Sequence, residues 1–145
     1  MKALLLGSFF GLASTLQAER IELQLEQPAA WHFTLFREDP EGASYSFSLM
    51  REGWLSFDRE NHGDWVGQKI ALDQEQFAHF TQRLGELFRK VEREGLMAKE
   101  GETNLYGIER NENFHSLLYW YLEPSEETER LFAELAATAG ILLPE

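Results

Sequence analysis

Three stretches in the first half of the chain alternate apolar and polar residues with a period of two. Ile21, Leu23 and Leu25 share one face of the first, and Trp31, Phe33 and Leu35 share one face of the next. In the third, Tyr45, Phe47 and Leu49 oppose Ser44, Ser46 and Ser48. Successive side chains of a strand point to opposite sides, so this pattern predicts half-buried antiparallel strands with the alternating aromatics as core. Glu38 to Gly42, EDPEG, reads as a turn by its Pro and Gly, and Arg51-Glu52-Gly53 as a second tight connection before WLSF. A β-meander is the economical topology.

The period then changes. Asp73, with Gln76 three residues later, has the pattern of a capping box, and Phe77, Phe80, Leu84, Leu87, Phe88 and Val91 follow at helical spacing. The spacing predicts a helix over 74–94, ended by Gly95 as a left-handed cap before Leu96. His79, Arg83, Glu86, Arg89 and Lys90 fall mostly on its polar side, an ordinary solvated face.

Beyond the polar stretch Lys99 to Asn104, LYGIER and FHSLLYWYLE flank a turn at Asn111-Glu112-Asn113 and predict a second hairpin. The later strand is apolar on both sides, with Phe114, Leu118, Trp120 and Leu122 on one and Leu117, Tyr119 and Tyr121 on the other. It is expected to be central and covered on both faces. Pro124 ends it. Ser125 caps a final short helix docked by Leu131, Phe132 and Leu135, with Glu126 and Glu127 at its positive end and Gly140 as its stop. Five strands, a long helix, two strands and a short helix predict an α+β fold: a mainly antiparallel sheet, meander plus hairpin and sandwich-like, with one long and one short flanking helix.

The first eighteen residues, MKALLLGSFFGLASTLQA, belong to neither pattern. Lys2 precedes an apolar run to about Leu16, and small Ala18 precedes Glu19-Arg20, which is the design of a cleaved secretory signal peptide. The run is shorter than the roughly 20 residues that span a bilayer. Residues 1–18 are thus expected to be a leader, and 19–145 a single globular domain working in the periplasm without membrane insertion. The chain has no cysteine. That rules out lipoprotein attachment, disulfides, thiol chemistry and thiolate metal sites, so stability must come from packing.

Composition is 43% apolar and 13% aromatic, which is globular rather than disordered. Asp and Glu number 25 against 13 Lys and Arg, and removing Lys2 with the leader moves the formal charge from −12 to −13. Nucleic acid and anionic membrane surfaces are poor partners for such a chain, whereas a basic protein is a good one.

Catalytic motifs are missing from the sequence. It has no HExxH pair, no GxSxG elbow and no phosphate loop, and His32, His62, His79 and His115 are scattered over different elements. The expectation is a protein that is not an enzyme. Asp58, Glu60, His62, Gly63 and Asp64 imitate the opening of a calcium loop, D-x-[DN]-x-[DN]-G. Glu at position three, His at position five and Lys69 where the bidentate Glu belongs spoil the match. A polar hairpin loop is the simpler reading, no cofactor is expected, and calcium shared with a partner's ligands stays open.

What remains is surface. Acidic and amide-rich loops recur at Asp58 to Asp64, Lys99 to Asn104, Glu109 to Asn113 and Glu123 to Glu127, with Trp65, Tyr106 and Tyr121 close in sequence. Aromatic anchors beside carboxylates suit an interface with a basic partner.

A cysteine-free acidic chain of this length, opening MKALLLGSFFGLASTLQA and passing through aromatic strands and acidic loops to YWYLEPSEETERLF, resembles the periplasmic immunity proteins of type VI secretion. In particular it is similar to those that neutralise a peptidoglycan-cleaving muramidase effector. The resemblance implies an inhibitor that inserts loops into the groove of its cognate effector, a calcium-linked enzyme, and so protects the cell's own wall. The partner-binding residues then expected are Asp58, Glu60, Asn61, His62, Asp64, Tyr106, Glu126 and Glu127, with Trp65 and Tyr106 where sugar rings would stack. Two alternatives stand beside it. One is a periplasmic lysozyme inhibitor, although the disulfide and the Ser/Gly/Tyr inhibitory loop usual there are not evident. The other is a small-ligand or envelope-assembly module with the doubly apolar strand lining a pocket.

Overall fold

Seven strands pair into one open sheet, every neighbour antiparallel: β1 (Glu19–Gln24), β2 (Trp31–Glu38), β3 (Ser44–Met50), β4 (Trp54–Asn61), β5 (Asp64–Ala71), β6 (Leu105–Glu112) and β7 (His115–Tyr121). Their order across the sheet is β1-β7-β6-β2-β3-β4-β5. The 45–71 meander and the late hairpin are thus joined through β2, and β1 and β5 form the two edges. Among the described residues two helices complete the α+β fold, α1 (Gln74–Glu94) and α2 (Glu126–Ala139). The computed structural model describes residues 19–94, 104–121 and 126–143. The expected leader, the Gly95 cap, residues 99–103 of the polar stretch, and Leu122, Pro124 and Ser125 lie outside the described residues.

Both helices cover the same face of the sheet. They run antiparallel, tied by His79 to Glu134 and by Lys90 to Glu127 at 3.6 Å. The capping box forms as expected: the Gln76 amide donates to Asp73 Oδ1 at 2.8 Å, and the Asp73 amide donates to Gln76 Oε1 at 3.0 Å. Each helix sets one large ring against the sheet. Phe132 of α2 meets Phe47 edge-on at 5.1 Å and Tyr106 at 6.0 Å, while Phe88 of α1 meets Tyr119 at 5.4 Å and Phe33 at 6.4 Å. An arginine closes each cluster: Arg37 lies 4.7 Å from the Phe132 ring centre, and Arg110 lies 4.6 Å from that of Phe88. These contacts favour the aromatic quadrupole and let long charged side chains cover apolar rings.

Several positions depart from the simple alternation. A bulge between Trp31 and Phe33 puts Trp31 opposite Met50 and Phe33 opposite Leu49, so the two aromatics face opposite sides of the sheet. Ile21 and Leu23 pair with Leu118 and Ser116 on the side away from the helices, and Leu23 is 45% exposed because β1 is an edge. Phe114 falls in the turn before β7 and is 47% exposed. β7 lies next to the β1 edge rather than at the centre, and helices cover only its Leu117, Tyr119 and Tyr121 side, although most of the strand is buried. Among the described residues no helix is long and apolar enough to cross a membrane.

Phe47 is 1% exposed and shares its contact with Phe132, so Phe47→Ala and Phe132→Ala are each expected to cost about 3–5 kcal/mol. The double variant should lose less than the sum, because both single changes remove the same ring contact. Urea denaturation of the four proteins checks this. Strict additivity would mean the two rings do not support each other.

Candidate functional site

The apparent calcium loop is two extended strands and a turn. Asn61 pairs with Asp64 across His62 and Gly63, whose φ angles of 49° and 92° are those of a type I′ hairpin. Asp58 and Glu60 therefore lie along β4, and their oxygens do not wrap around a centre as a curled loop would require. Among the described residues no three His, Asp or Glu side chains converge in a way that could hold a metal ion.

Register decides which of the expected residues meet. The Asn61–Asp64 turn stands at the same end of the sheet as the 39–43 turn, where the His62 ring approaches Gly42. Asp39 organises that second turn by accepting hydrogen bonds from the amides of Glu41 and Ala43. Asp58, Glu60, Asn61, His62 and Asp64 thus share one hairpin, Asp58 and Glu60 within the sheet opposite Ser46 and Ser44, and Asn61 to Asp64 at its end. Glu126 and Glu127 begin α2 at this same end, beside Tyr121, whose deeply buried hydroxyl has its pKa raised by burial and lies against Thr128. They sit on the helix side of the sheet, whereas Asp58 and Glu60 sit on the other. A partner touching both groups must straddle the end of the sheet. Glu127 is also engaged by Lys90, and Glu126 stands 3.8 Å from Arg130.

One expectation needs correction. Tyr106 is 1% exposed, stacked on Tyr121 and under Phe132, because its position in β6 points toward the helices. It offers no ring surface to a partner or a sugar in this structure. The Glu109 to Asn113 segment lies toward the opposite end, with the Glu112–His115 turn and the Arg51–Gly53 connection, so it does not join the 58–64 hairpin.

The face without helices holds residues that the loop reading missed. Cross-strand pairing aligns Trp120, Gly107, Phe36, Ser46, Asp58 and Gly67 in one row over six strands. The next row toward the projecting end carries Glu38, Ser44, Glu60 and Trp65. Small residues in the middle and indoles at the sides make a concavity of about 180 Å³. The indoles fit because of two glycines. A Cβ on Gly107 would stand 2.9 Å from the Trp120 ring, and one on Gly67 would stand 2.8 Å from Asp58 and 2.9 Å from the Trp65 ring. Trp120 is buried, Phe36 packs on it at 5.6 Å, and Trp65 is 66% exposed. Burial raises the Asp58 carboxyl above the usual carboxylate range, and among the described residues Asp58 makes no hydrogen bond or ion pair.

Farther along the same face is a satisfied polar cluster. Thr34 and Ser48 share a hydrogen bond of 2.9 Å, and the Ser116 hydroxyl donates to Glu109. The Asn111 amide, oriented to suit its neighbours, donates to Ser116 and Glu109 and accepts from the Trp31 indole. These partners account for the buried polar atoms without a ligand.

Desolvation raises the Glu109 carboxyl, opposed in part by the Ser116 hydroxyl. An acid with a higher pKa in the folded state binds protons more readily there, so stability falls as pH rises from the ordinary carboxylate value through the raised one. Glu109→Gln should therefore stabilise the protein at neutral pH, and the gain should vanish below about pH 4. Denaturation midpoints of both proteins across pH test the sign, and a Gln variant that is less stable at neutral pH would refute it.

Comparison with protein-family models, curated proteins and solved structures finds no match to this chain.

Proposed function

We propose that this domain is a periplasmic immunity protein that binds a cognate muramidase effector and occludes its active-site groove. The observation that carries the reading is the β4–β5 hairpin. Five polar or acidic residues, Asp58, Glu60, Asn61, His62 and Asp64, lie together along this edge hairpin beside an exposed Trp65, and the Asn61–Asp64 turn reaches past the last pair with β3. A tight two-residue turn at an exposed sheet edge can enter a cleft that a flat surface cannot. Its carboxylates would pair with basic groups lining such a cleft, and no reaction is required of the inhibitor. The resemblance noted in the sequence supports the same partner class, as does the leader that directs the domain to the compartment of the wall.

The reading is tested by affinity capture with residues 19–145, followed by assay of any peptidoglycan hydrolase retained. Stoichiometric loss of peptidoglycan cleavage, measured in calcium and in chelator, is expected. No complex under either condition would overturn it. Asp64 stands at the exposed tip of the hairpin, where charge mainly steers encounter. Asp64→Lys should therefore slow association severalfold while leaving dissociation nearly unchanged, and added salt should shrink the difference. Surface plasmon resonance at two ionic strengths separates the rates; an effect confined to dissociation would place Asp64 in the buried centre instead.

A further inference from the structure

The concavity on the helix-free face has a shape and chemistry more specific than general acidity. Its floor is Ser44, Ser46 and the Asp58 carboxylate, and its sides are the Phe36–Trp120 pair and the Trp65 indole. The walls rise from β2 and β5, three strand spacings or about 14 Å apart between backbones, and the rings themselves fill part of that width. What remains is wide enough for one extended side chain.

The walls then select the group. Trp65 leans along its strand over Gly67, leaving indole surface to solvent beside Asp58 and Glu60. An exposed indole next to two carboxylates favours a cation that is also flat, since such a group stacks on the ring while donating to both acids. Lysine's ammonium can pair but has no plane to stack, whereas guanidinium offers both. Asp58, lacking a partner among the described residues, is the natural acceptor. Net charge of −12 reinforces attraction for a cation.

We propose that this groove receives an arginine side chain of the protein partner, with its guanidinium stacked on Trp65 and paired with Asp58 and Glu60. That the arginine belongs to a protein rests on the function proposed above; the preference for guanidinium rests on the groove alone. The hairpin and the groove are contiguous, so an arginine seated here would fix the depth and orientation of the inserted hairpin.

Agmatine, a small alkylguanidine, is the probe, and backbone and indole resonances of residues 19–145 are the readout. Saturable shifts confined to Trp65, Gly67, Asp58 and their neighbours are expected, weaker in high salt. Asp58→Asn keeps the side-chain volume and should weaken the titration about tenfold, consistent with loss of one charge-assisted hydrogen bond. Trp65→Ala should weaken it as well, and Glu75→Gln, on the distant first turn of α1, should not. Absence of saturable shifts, or a titration indifferent to Asp58→Asn, overturns the proposal. Equal shifts with N-acetylglucosamine that ignore salt also overturn it, in favour of a sugar site. Agmatine binding without capture of any hydrolase would leave the groove standing and remove only the proposed partner.

Discussion

The cross-strand register of the sheet is the constraint on which everything else depends. In paired strands, side chains lie in rows, and adjacent rows point to opposite faces, so one register fixes both surfaces at once. The row through Tyr119, Ile108, Leu35, Phe47 and Phe57 builds the helix-covered core. The neighbouring row through Trp120, Gly107, Phe36, Ser46, Asp58 and Gly67 builds the groove. A one-residue slip between β3 and β4 would bury Asp58 under α2 and expose Phe57. The groove is therefore held by the same burial that stabilises the fold.

The helices enforce this arrangement through few, large contacts. Phe132 and Phe88 each reach several sheet aromatics, and each is capped by an arginine, Arg37 or Arg110. With no disulfide available, these clusters and the interhelical pairs determine how α1 and α2 sit. α2 spans the sheet from Tyr121 on β7 to β5, where Gln68 donates to the Ala139 carbonyl at 3.3 Å. That last bond anchors an otherwise exposed edge strand, and β5 carries both Trp65 and half of the projecting hairpin. Support for the binding surface thus comes through the sheet from the opposite layer.

Much of the fold was legible because its determinants are local. Alternation at 44–49 gave a strand with the correct inward set, and Asp73 with Gln76 gave a helix start that the two reciprocal hydrogen bonds realise. The 31–35 face was not legible, since a bulge adds a residue without leaving a turn residue to announce it. Tyr106 shows the same limit: nearness in sequence to a polar stretch says nothing about which side of β6 it occupies. The candidate site was half legible. Asp58 to Asp64 share a hairpin and could be found from sequence, but Phe36, Ser46 and Trp120 join Asp58 only through long-range pairing. Gly67 and Gly107 were the available clue. A glycine inside a strand marks close approach by another group, and here that group is an indole in each case.

The placing of acids along the sheet bears on how binding would proceed. Asp39, Glu41, Asp58, Glu60 and Asp64 gather toward the end of the sheet that carries the Asn61–Asp64 turn. A concentration of acids there would turn this end toward a basic partner before contact, leading with the hairpin. Orientation alone gives fast but loose encounter. Retention requires groups that leave water on binding, and near the hairpin the exposed Trp65 and the unpartnered Asp58 meet that need. In the proposed complex the acidic tip and the aromatic groove would therefore act at successive stages of one event, the first selecting where the domain lands and the second how long it stays.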